Sequence, residues 1–375
     1  MRVAKIWATG LAGVLAVGVG FAQSAGAVSG SGAAAQSGRD AGADGKSRES
    51  DLHVFFADVE GGQATLFVMP SGESLLVDTG WPGYAGRDAD RIAALCKLAG
   101  VAKIDTLVLT HYHIDHAGGV PQLVAKIPVG RFIDHGINRE SEAVAGGGAT
   151  VAAWTAYQKV LADGHAEHLV VKPGDVLPVK GMRVEIVSAD GEVIAQPLKT
   201  ADAGAGAKNT ACASSPVKPA EGNENDRSVG MVLTFGRLRI LDLGDLTWAL
   251  ERGLVCPVNK LGDVDVYIVS HHGTARSGSP ALVDAIAPRV AIMDNGPHKG
   301  GESATYATIE GSSRLKDLWQ LHTAEASDAH NPSDSHIANL PGPDAANYLK
   351  LTGRADGSFA VTNGRTGETV EYPAH

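Results

Sequence analysis

Three histidines and an aspartate fall within the six residues His111, Tyr112, His113, Ile114, Asp115 and His116, directly after the β-forming run "LVLT" and before Gly118-Gly119. In an extended backbone, residues i and i+2 point to the same side, so His111 and His113 can aim two imidazoles at one point. Asp115 and His116 follow in the turn and bring a carboxylate and a third imidazole close by. Neutral imidazole and carboxylate are the donors that zinc and similar divalent ions take in catalytic sites. Any one of the 14 histidines would ordinarily be read as a surface residue or a satisfied core residue. Four such side chains at the mouth of a buried strand are read instead as a metal cradle.

The elements around this cluster must hold it. "DLHVFFADV", "QATLFVM" and "ESLLVDTG" read as three successive strands, suggesting a sheet edge built from hairpins. Ile92, Leu95, Cys96 and Ala99 then mark an amphipathic helix with Asp88 as its N-cap and Gly100 past its end. "IDTLVLT" is apolar enough for a strand buried on both faces. A short helix in "GGVPQLVAKI", a strand ending at Asp134 and His135, a helix with Trp154, Tyr157 and Leu161 on one face, and the strand "MRVEIVSA" continue the rhythm. The second half repeats it through "SVGMVLTF", "LRILDLGD", "LTWALERGL", "VDVYIVSHH", "SPALVDAIA" and "RVAIMDNG". "YLKLT", "GSFAVTN" and "TVEYP" read as closing strands. The segment from about 190 to 226 has no periodicity and is too long for a simple connection; it reads as a lid or a mobile insertion.

The chain has 375 residues, 44% hydrophobic and 20% charged, with a formal net charge of -10. That sign repels polyanions, so no strong nucleic-acid footprint is expected, and the partner is read as a small-molecule or phosphoester substrate. Arg2 and Lys5 precede an apolar Ala/Gly/Val stretch ending in Ala25-Gly26-Ala27, the pattern of a secretory signal peptide over residues 1–27. Residues 28–50, rich in Gly, Ser, Ala and Asp, form a flexible linker, and residues 51–375 a single domain. No later apolar run suits a membrane span, so an exported protein, periplasmic or secreted, is expected. Cys96, Cys212 and Cys256 are an odd set without C-x-x-C spacing, which speaks against a thiolate metal site or a dense disulfide framework. Cys96 sits on the apolar helix face, and a Cys212–Cys256 bridge is left open without being expected. No period of 20 to 50 residues recurs, and oligomeric state is not legible.

His-Tyr-His-Ile-Asp-His fits the H-x-H-x-D-H signature of the metallo-β-lactamase superfamily, which the chain resembles from about Leu52 to Met293. Asp78 in "LLVDTG" matches the first motif, Asp245 in "LDLGDL" resembles the metal-bridging aspartate, and His271-His272-Gly273 resembles the last histidine motif. The resemblance implies an α+β four-layer αββα sandwich and two divalent ions, most often zinc, with Mn2+ or Fe2+ as alternatives. It further implies His111 and His113 at site one; Asp115, His116 and one of His271 and His272, preferably His271, at site two; and Asp245 between them. Asp78 would support the site from behind.

Many members carry a further histidine before the bridging aspartate, whereas this chain reads "GNENDRSVGMVL" there. In that respect it resembles the branch of DNA-uptake competence hydrolase domains and secreted choline-phosphate esterases, which have an N-x-x-S segment, matched by Asn225 and Ser228, and a "DVGQG"-like loop, matched loosely by "DVEGGQ". Asn225 as a weak ligand, directly or through water, and His135 are the two candidates for the vacancy; His135 reads equally well as a solvent-facing loop residue.

The implied reaction is hydrolysis by a metal-bound hydroxide, since divalent ions lower the pKa of bound water to near 7. Asp115, His271 and His272 are the residues expected in catalysis: Asp115 orients the hydroxide, and a histidine that is not a ligand protonates the leaving group. His298 and Lys299 fall where the family lines its cleft and would meet an anionic group, unless they belong to a glycine-rich surface turn. Phosphoesters and phosphodiesters are the expected substrates; lactone, β-lactam or thioester opening is the alternative. A non-catalytic metal-binding or interaction protein is the alternative of another class. Diiron redox relatives replace the second histidine with glutamate, whereas His113 is present here. His322, His330 and His336 are expected to be solvated.

Overall fold

The computed structural model describes residues 50–375 except Asp202 and Ser327. The expected signal peptide, 1–27, and all but the last residue of the expected linker, 28–50, lie outside the described residues.

Among the described residues, seventeen strands and seven α-helices are arranged around two sheets. In chain order come β1 (Leu52–Phe56), β2 (Thr65–Val68), β3 (Ser74–Val77), α1 (Arg87–Leu98), β4 (Thr106–Val108), α2 (Ile114–Ala117), α3 (Val120–Val124), β5 (Arg131–Asp134), α4 (Gly147–Asp163) and β6 (Glu167–Val170). They are followed by β7 (Arg183–Ala189), β8 (Glu192–Val193), β9 (Gly230–Phe235), β10 (Leu238–Asp242), α5 (Trp248–Val255), β11 (Val266–Ile268), α6 (Pro280–Ile286), β12 (Val290–Met293), α7 (Ser303–Glu310), β13 (Asp317–His322) and β14 (Ile337–Asn339). The chain closes with β15 (Leu349–Gly353), β16 (Phe359–Asn363) and β17 (Thr369–Tyr372).

Period-two alternation makes the layers. On β1, Leu52, Val54 and Phe56 point into the core shared by the two sheets, which also receives Met231, Leu233, Leu238 and Ile240 of β9 and β10. Phe55 on the opposite face joins Ile92, Leu95, Cys96 and Tyr157 of α1 and α4. Val232 and Leu241 on the outer face of the second sheet pack against Leu254 of α5, Leu282 of α6 and Ile309 of α7. Helices cover each outer face, so the architecture is the four-layer αββα sandwich.

The first sheet runs β17-β16-β15-β1-β2-β3-β4-β5-β6 and the second β14-β13-β12-β11-β10-β9-β7-β8. The hairpins β1–β3 therefore lie in the middle of their sheet, not at an edge: β15 pairs antiparallel with β1, register Val54 to Leu351. Strands β3 to β6 are parallel, as are β10 to β14. Their carboxyl ends are where ligand-binding loops gather in sheets of this kind.

Several local expectations are corrected. The N-cap of α1 is Gly86; Asp88 lies inside the helix and accepts from Trp81 N at 2.8 Å and Arg87 Nε at 2.6 Å. The 190–226 segment is not structureless. It contains β8, a turn at Thr210–Ala213 capped by the Asn209 side chain, and a turn at Glu224–Arg227 capped by Asn223. A disulfide joins Cys212 in this segment to Cys256 after α5. Among the described residues no helix is long and apolar enough to cross a membrane.

Candidate metal centre

Five chain segments meet at the strand ends. Asp78, in a left-handed conformation (φ 60°), follows β3; Thr110 to His116 follow β4 and enter α2; Asp245 follows β10; His271 and His272 follow β11; Asp294 follows β12. Gly244 makes the turn before Asp245, at φ 54°, and a Cβ there would come within 2.8 Å of Thr110 Cβ, so that close approach of the two halves needs glycine. His271 and His272 both hold φ 56°, uncommon for side chains with a Cβ, and this double reversal sends their rings in different directions.

Two donor groups result, sharing Asp245. Asp115, His116, Asp245 and His272 present ligand atoms within 4.8 Å of one another, and so do His111, His113 and Asp245. In the first group His116 Nε2 is 3.2 Å from His272 Nε2, 3.4 Å from Asp115 Oδ2 and 3.3 Å from Asp245 Oδ1. In the second, His111 Nε2 is 3.0 Å from His113 Nδ1.

The chemistry of these donors fits divalent cations. Asp78 Oδ2 is 2.7 Å from His116 Nδ1, Glu140 Oε2 is 3.1 Å from His113 Nε2, and Asp294 Oδ1 is 3.4 Å from His272 Nδ1. Asp78 and Glu140 favour an N–H on the nitrogen each faces, which leaves the other nitrogen of His116 and of His113 with a lone pair turned into the cluster, while Asp294 acts on His272 by its charge alone, without a hydrogen bond. Thr110 does the same for His111, its Oγ1 lying 3.0 Å from Nδ1 while donating to Asp78 Oδ2 at 2.6 Å. Lone pairs face lone pairs, and among the described residues the buried Asp245 Oδ1 has no hydrogen-bond partner. Such a set is satisfied by positive charge.

The model of the metallo-beta-lactamase superfamily matches residues 57–200, which include Asp78 and the whole of the 111–116 cluster. Over those residues the chain is similar to that superfamily. Among solved structures, the metallo-beta-lactamase fold protein YhfI from Bacillus subtilis is similar at 15% identity, covering 71% of this chain and 96% of that one, with a TM-score of 0.41. A diphosphatase of the PhnP family is similar at 13% identity, covering 69% and 82%, TM-score 0.36. CmlA, a diiron beta-hydroxylase from Streptomyces venezuelae, is similar at 14% identity, covering 70% of this chain and 49% of CmlA, TM-score 0.35. No curated protein matches the chain in sequence. The αββα sandwich of this chain thus carries a candidate di-metal site at its strand ends.

Within this site, charge is balanced internally. Burial opposes a proton on His116, but Asp245, Asp115 and Asp78 outweigh it and hold its pKa well above the usual imidazole value. Burial and Lys299 oppose a proton on His272, yet Asp245 and Asp294 push its pKa up to about 10. Burial disfavours charge on Asp115 and Asp245, but Lys299 and His116 beside Asp115, and His271, His116 and His272 around Asp245, keep both well below the carboxylate range. Protons and metal ions therefore compete for the same donors.

The structure sorts the sequence candidates. His272, not His271, stands in the group with Asp115 and His116, correcting the preferred assignment. His271 faces the other oxygen of the shared aspartate: its Nε2 is 3.4 Å from Asp245 Oδ2 and its Nδ1 3.3 Å from Ser277 Oγ. His135 is buried, not solvent-facing, and its Nε2 is 2.9 Å from Glu224 Oε2. Ser228 Oγ accepts from Asp245 N at 3.2 Å. Asn225 is buried, with its Oδ1 unpartnered. Lys299 reaches the cluster, with Nζ against Asp115 Oδ2 and over the Trp81 ring at 4.9 Å. His298 does not; its side chain is 78% exposed and faces Glu325. His322 is not solvated: its Nε2 lies 2.6 Å from Asp58 Oδ1 in the "DVEGGQ" loop. His336 stacks on Trp319 at 4.2 Å between centroids.

Thr110, Glu140, Glu224 and Asp294 were not among the sequence candidates. Thr110 and Asp294 directly flank motif residues or strand ends, a signal of placement that sequence offers. Glu140 and Glu224 lie in irregular segments, and nothing in their surroundings distinguishes them from surface acids.

Proposed function

We propose that this protein is an exported, metal-dependent hydrolase acting on phosphoesters, phosphodiesters foremost, with two divalent ions, zinc first among them. His111 and His113 with Asp245, and Asp115, His116 and His272 with the same Asp245, are the residues that would hold the ions. When bound, such ions supply Lewis acidity and acidify water toward neutral pH.

The observation that carries the substrate class is Lys299. Its ammonium lies on the Asp115 carboxylate and over the Trp81 ring, yet its side chain keeps 33% exposure. A cation at the border between the donor cluster and solvent suits an anionic group entering there, and a phosphoester brings that charge whereas a lactone does not. In the chain's own contribution, Lys299 attracts and orients the anion, Asp115 directs the attacking oxygen, and Asp78, Glu140 and Asp294 keep the imidazoles turned inward.

Export is supported by the Cys212–Cys256 disulfide, since such bonds persist in oxidising compartments. Sequencing the N-terminus of the mature protein from cell fractions tests it: a start near residue 28 outside the cytoplasm is expected, and a full-length cytoplasmic chain would refute it.

The function is tested by metal analysis of the mature protein together with phosphodiester, lactone and β-lactam assays on wild type and His113→Ala. Turnover of phosphodiesters, lost with metal in the variant, is the expected result. Turnover confined to lactones or β-lactams would overturn the substrate class, and equal metal in both proteins the ligand assignment.

A further inference from the structure

We infer that Asn225 is a metal ligand, its side-chain carbonyl oxygen completing the group of His111, His113 and Asp245. This rests on the reading of the cluster as a divalent-cation site.

The amide is oriented by its neighbours. Asn225 is 1% exposed, and its Nδ2 donates to Glu221 Oε2 at 3.3 Å. A carboxylate only accepts, so the NH2 must face it and the carbonyl oxygen must face the other way. That oxygen is buried and has no hydrogen-bond partner among the described residues. Leaving a buried amide oxygen unsatisfied is costly, on the order of 1–3 kcal/mol, and such groups in native proteins ordinarily meet a water or an ion.

Its place is set by the residues on both sides. Glu224 Oε2 accepts from the backbone N–H of Tyr112, the residue between the two imidazoles, at 3.3 Å. Glu224 N donates to the Glu140 carboxylate that holds His113, at 3.1 Å. On the other side, Val229 N donates to Thr110 O at 2.8 Å, next to His111, and Ser228 Oγ accepts from Asp245 N. Asn225 thus belongs to a short turn tied at one end to the histidine strand and at the other to the shared aspartate. The rival, His135, has its Nε2 committed to Glu224 and its ring packed on Tyr112 at 4.5 Å; its buried Nδ1 also has no partner among the described residues, and the His135→Ala variant below tests it.

An amide oxygen changes what this group prefers. Imidazole favours zinc and its neighbours, while carbonyl and carboxylate oxygens favour harder ions such as Mn2+. Two imidazoles with two oxygen donors will therefore accept Mn2+ or Fe2+ more readily than three imidazoles would, and the two groups will differ in selectivity.

The test is metal stoichiometry and affinity by chelator competition, with Co2+ absorption spectra, on full-length mature wild type, Asn225→Ala, Asn225→Asp, Asn225→His and His135→Ala. Thermal melts check folding. Asn225→Ala is expected to bind one of two equivalents at least about tenfold more weakly with the other unchanged, Asn225→Asp to keep both, and Asn225→His to shift the Co2+ spectrum and prefer zinc over Mn2+. Should Asn225→Ala fail to fold, the Asp and His variants decide the matter by their affinities and spectra. Unchanged affinities and spectra in all Asn225 variants, or weakening in His135→Ala alone, would overturn the assignment. Wild type that binds no divalent ion would overturn the underlying cation-site reading as well.

Discussion

The group of Asp115, His116, Asp245 and His272 is buried throughout, whereas in the group of His111, His113 and Asp245 the His113 side chain keeps 21% exposure. The two also differ in their support. His116 is backed by the wholly buried Asp78, itself bonded to Thr110 through both backbone and hydroxyl. His113 is backed by Glu140, which comes from the irregular stretch before α4 and relies on Thr150 Oγ1 and Glu224 N for its own position. Low dielectric and fixed partners strengthen the former group and leave the latter more adaptable. The buried group is therefore read as the tighter anchor and the partly open one as the more readily exchanged.

The comparison can be broken at the residue common to both. Asp245→Ala removes a carboxylate oxygen from each group, so both equivalents of metal should weaken, by more than about 100-fold, as read by dialysis and metal analysis. Retention of one equivalent at wild-type affinity would show that Asp245 belongs to one group only.

Asp78→Asn separates the groups. It takes the accepting carboxylate from His116 Nδ1, and metal affinity of the buried group should fall by roughly 10- to 100-fold while the other equivalent changes little. Glu140→Gln is the mirror experiment. Its effect should be confined to the His111/His113 group and be nearer to about tenfold, because that support is partly solvated. If Glu140→Gln were the more damaging of the two, the ranking of the groups would be reversed.

The effect most remote from the donors concerns the loop that carries His272. Glu251 on α5 accepts from Gly278 N at 2.7 Å and Ser279 N at 2.8 Å, and burial pushes its pKa up to about 7 from the ordinary 4.5. The folded state then binds the proton more tightly than the unfolded state. Its contribution to stability is full below about pH 4.5 and is lost as pH rises through about 7, a change of at most roughly 3 kcal/mol. Urea melts between pH 4.5 and 8 should show that slope in wild type and a flatter one in Glu251→Gln, with metal binding by His111 and His113 unaffected.

Much of the candidate site was legible because its first part is local. His111, His113, Asp115 and His116 lie on one strand end and its turn, where spacing alone dictates convergence, and the strands on either side show their alternation plainly. The carboxylates at Asp78 and Asp245 could be tied to them by motif order. Glu140 and Glu224 could not, since an acid in an irregular segment has no periodicity to say what it faces. The choice between His271 and His272 was equally hidden, because it depends on two consecutive left-handed residues after β11, a conformation that the side-chain types do not advertise.

The sequence by itself determined the strand and helix rhythm, the apolar faces and the clustering of imidazoles at the end of β4, because these follow from local periodicity and residue chemistry. Only the tertiary structure decided that β15 to β17 return to pair with β1, that the 190–226 segment is tied down through Cys212, and that Asp245 stands between two groups of donors. Pairings of that kind depend on how much apolar surface distant segments bury against each other, and no window of neighbouring residues contains that sum.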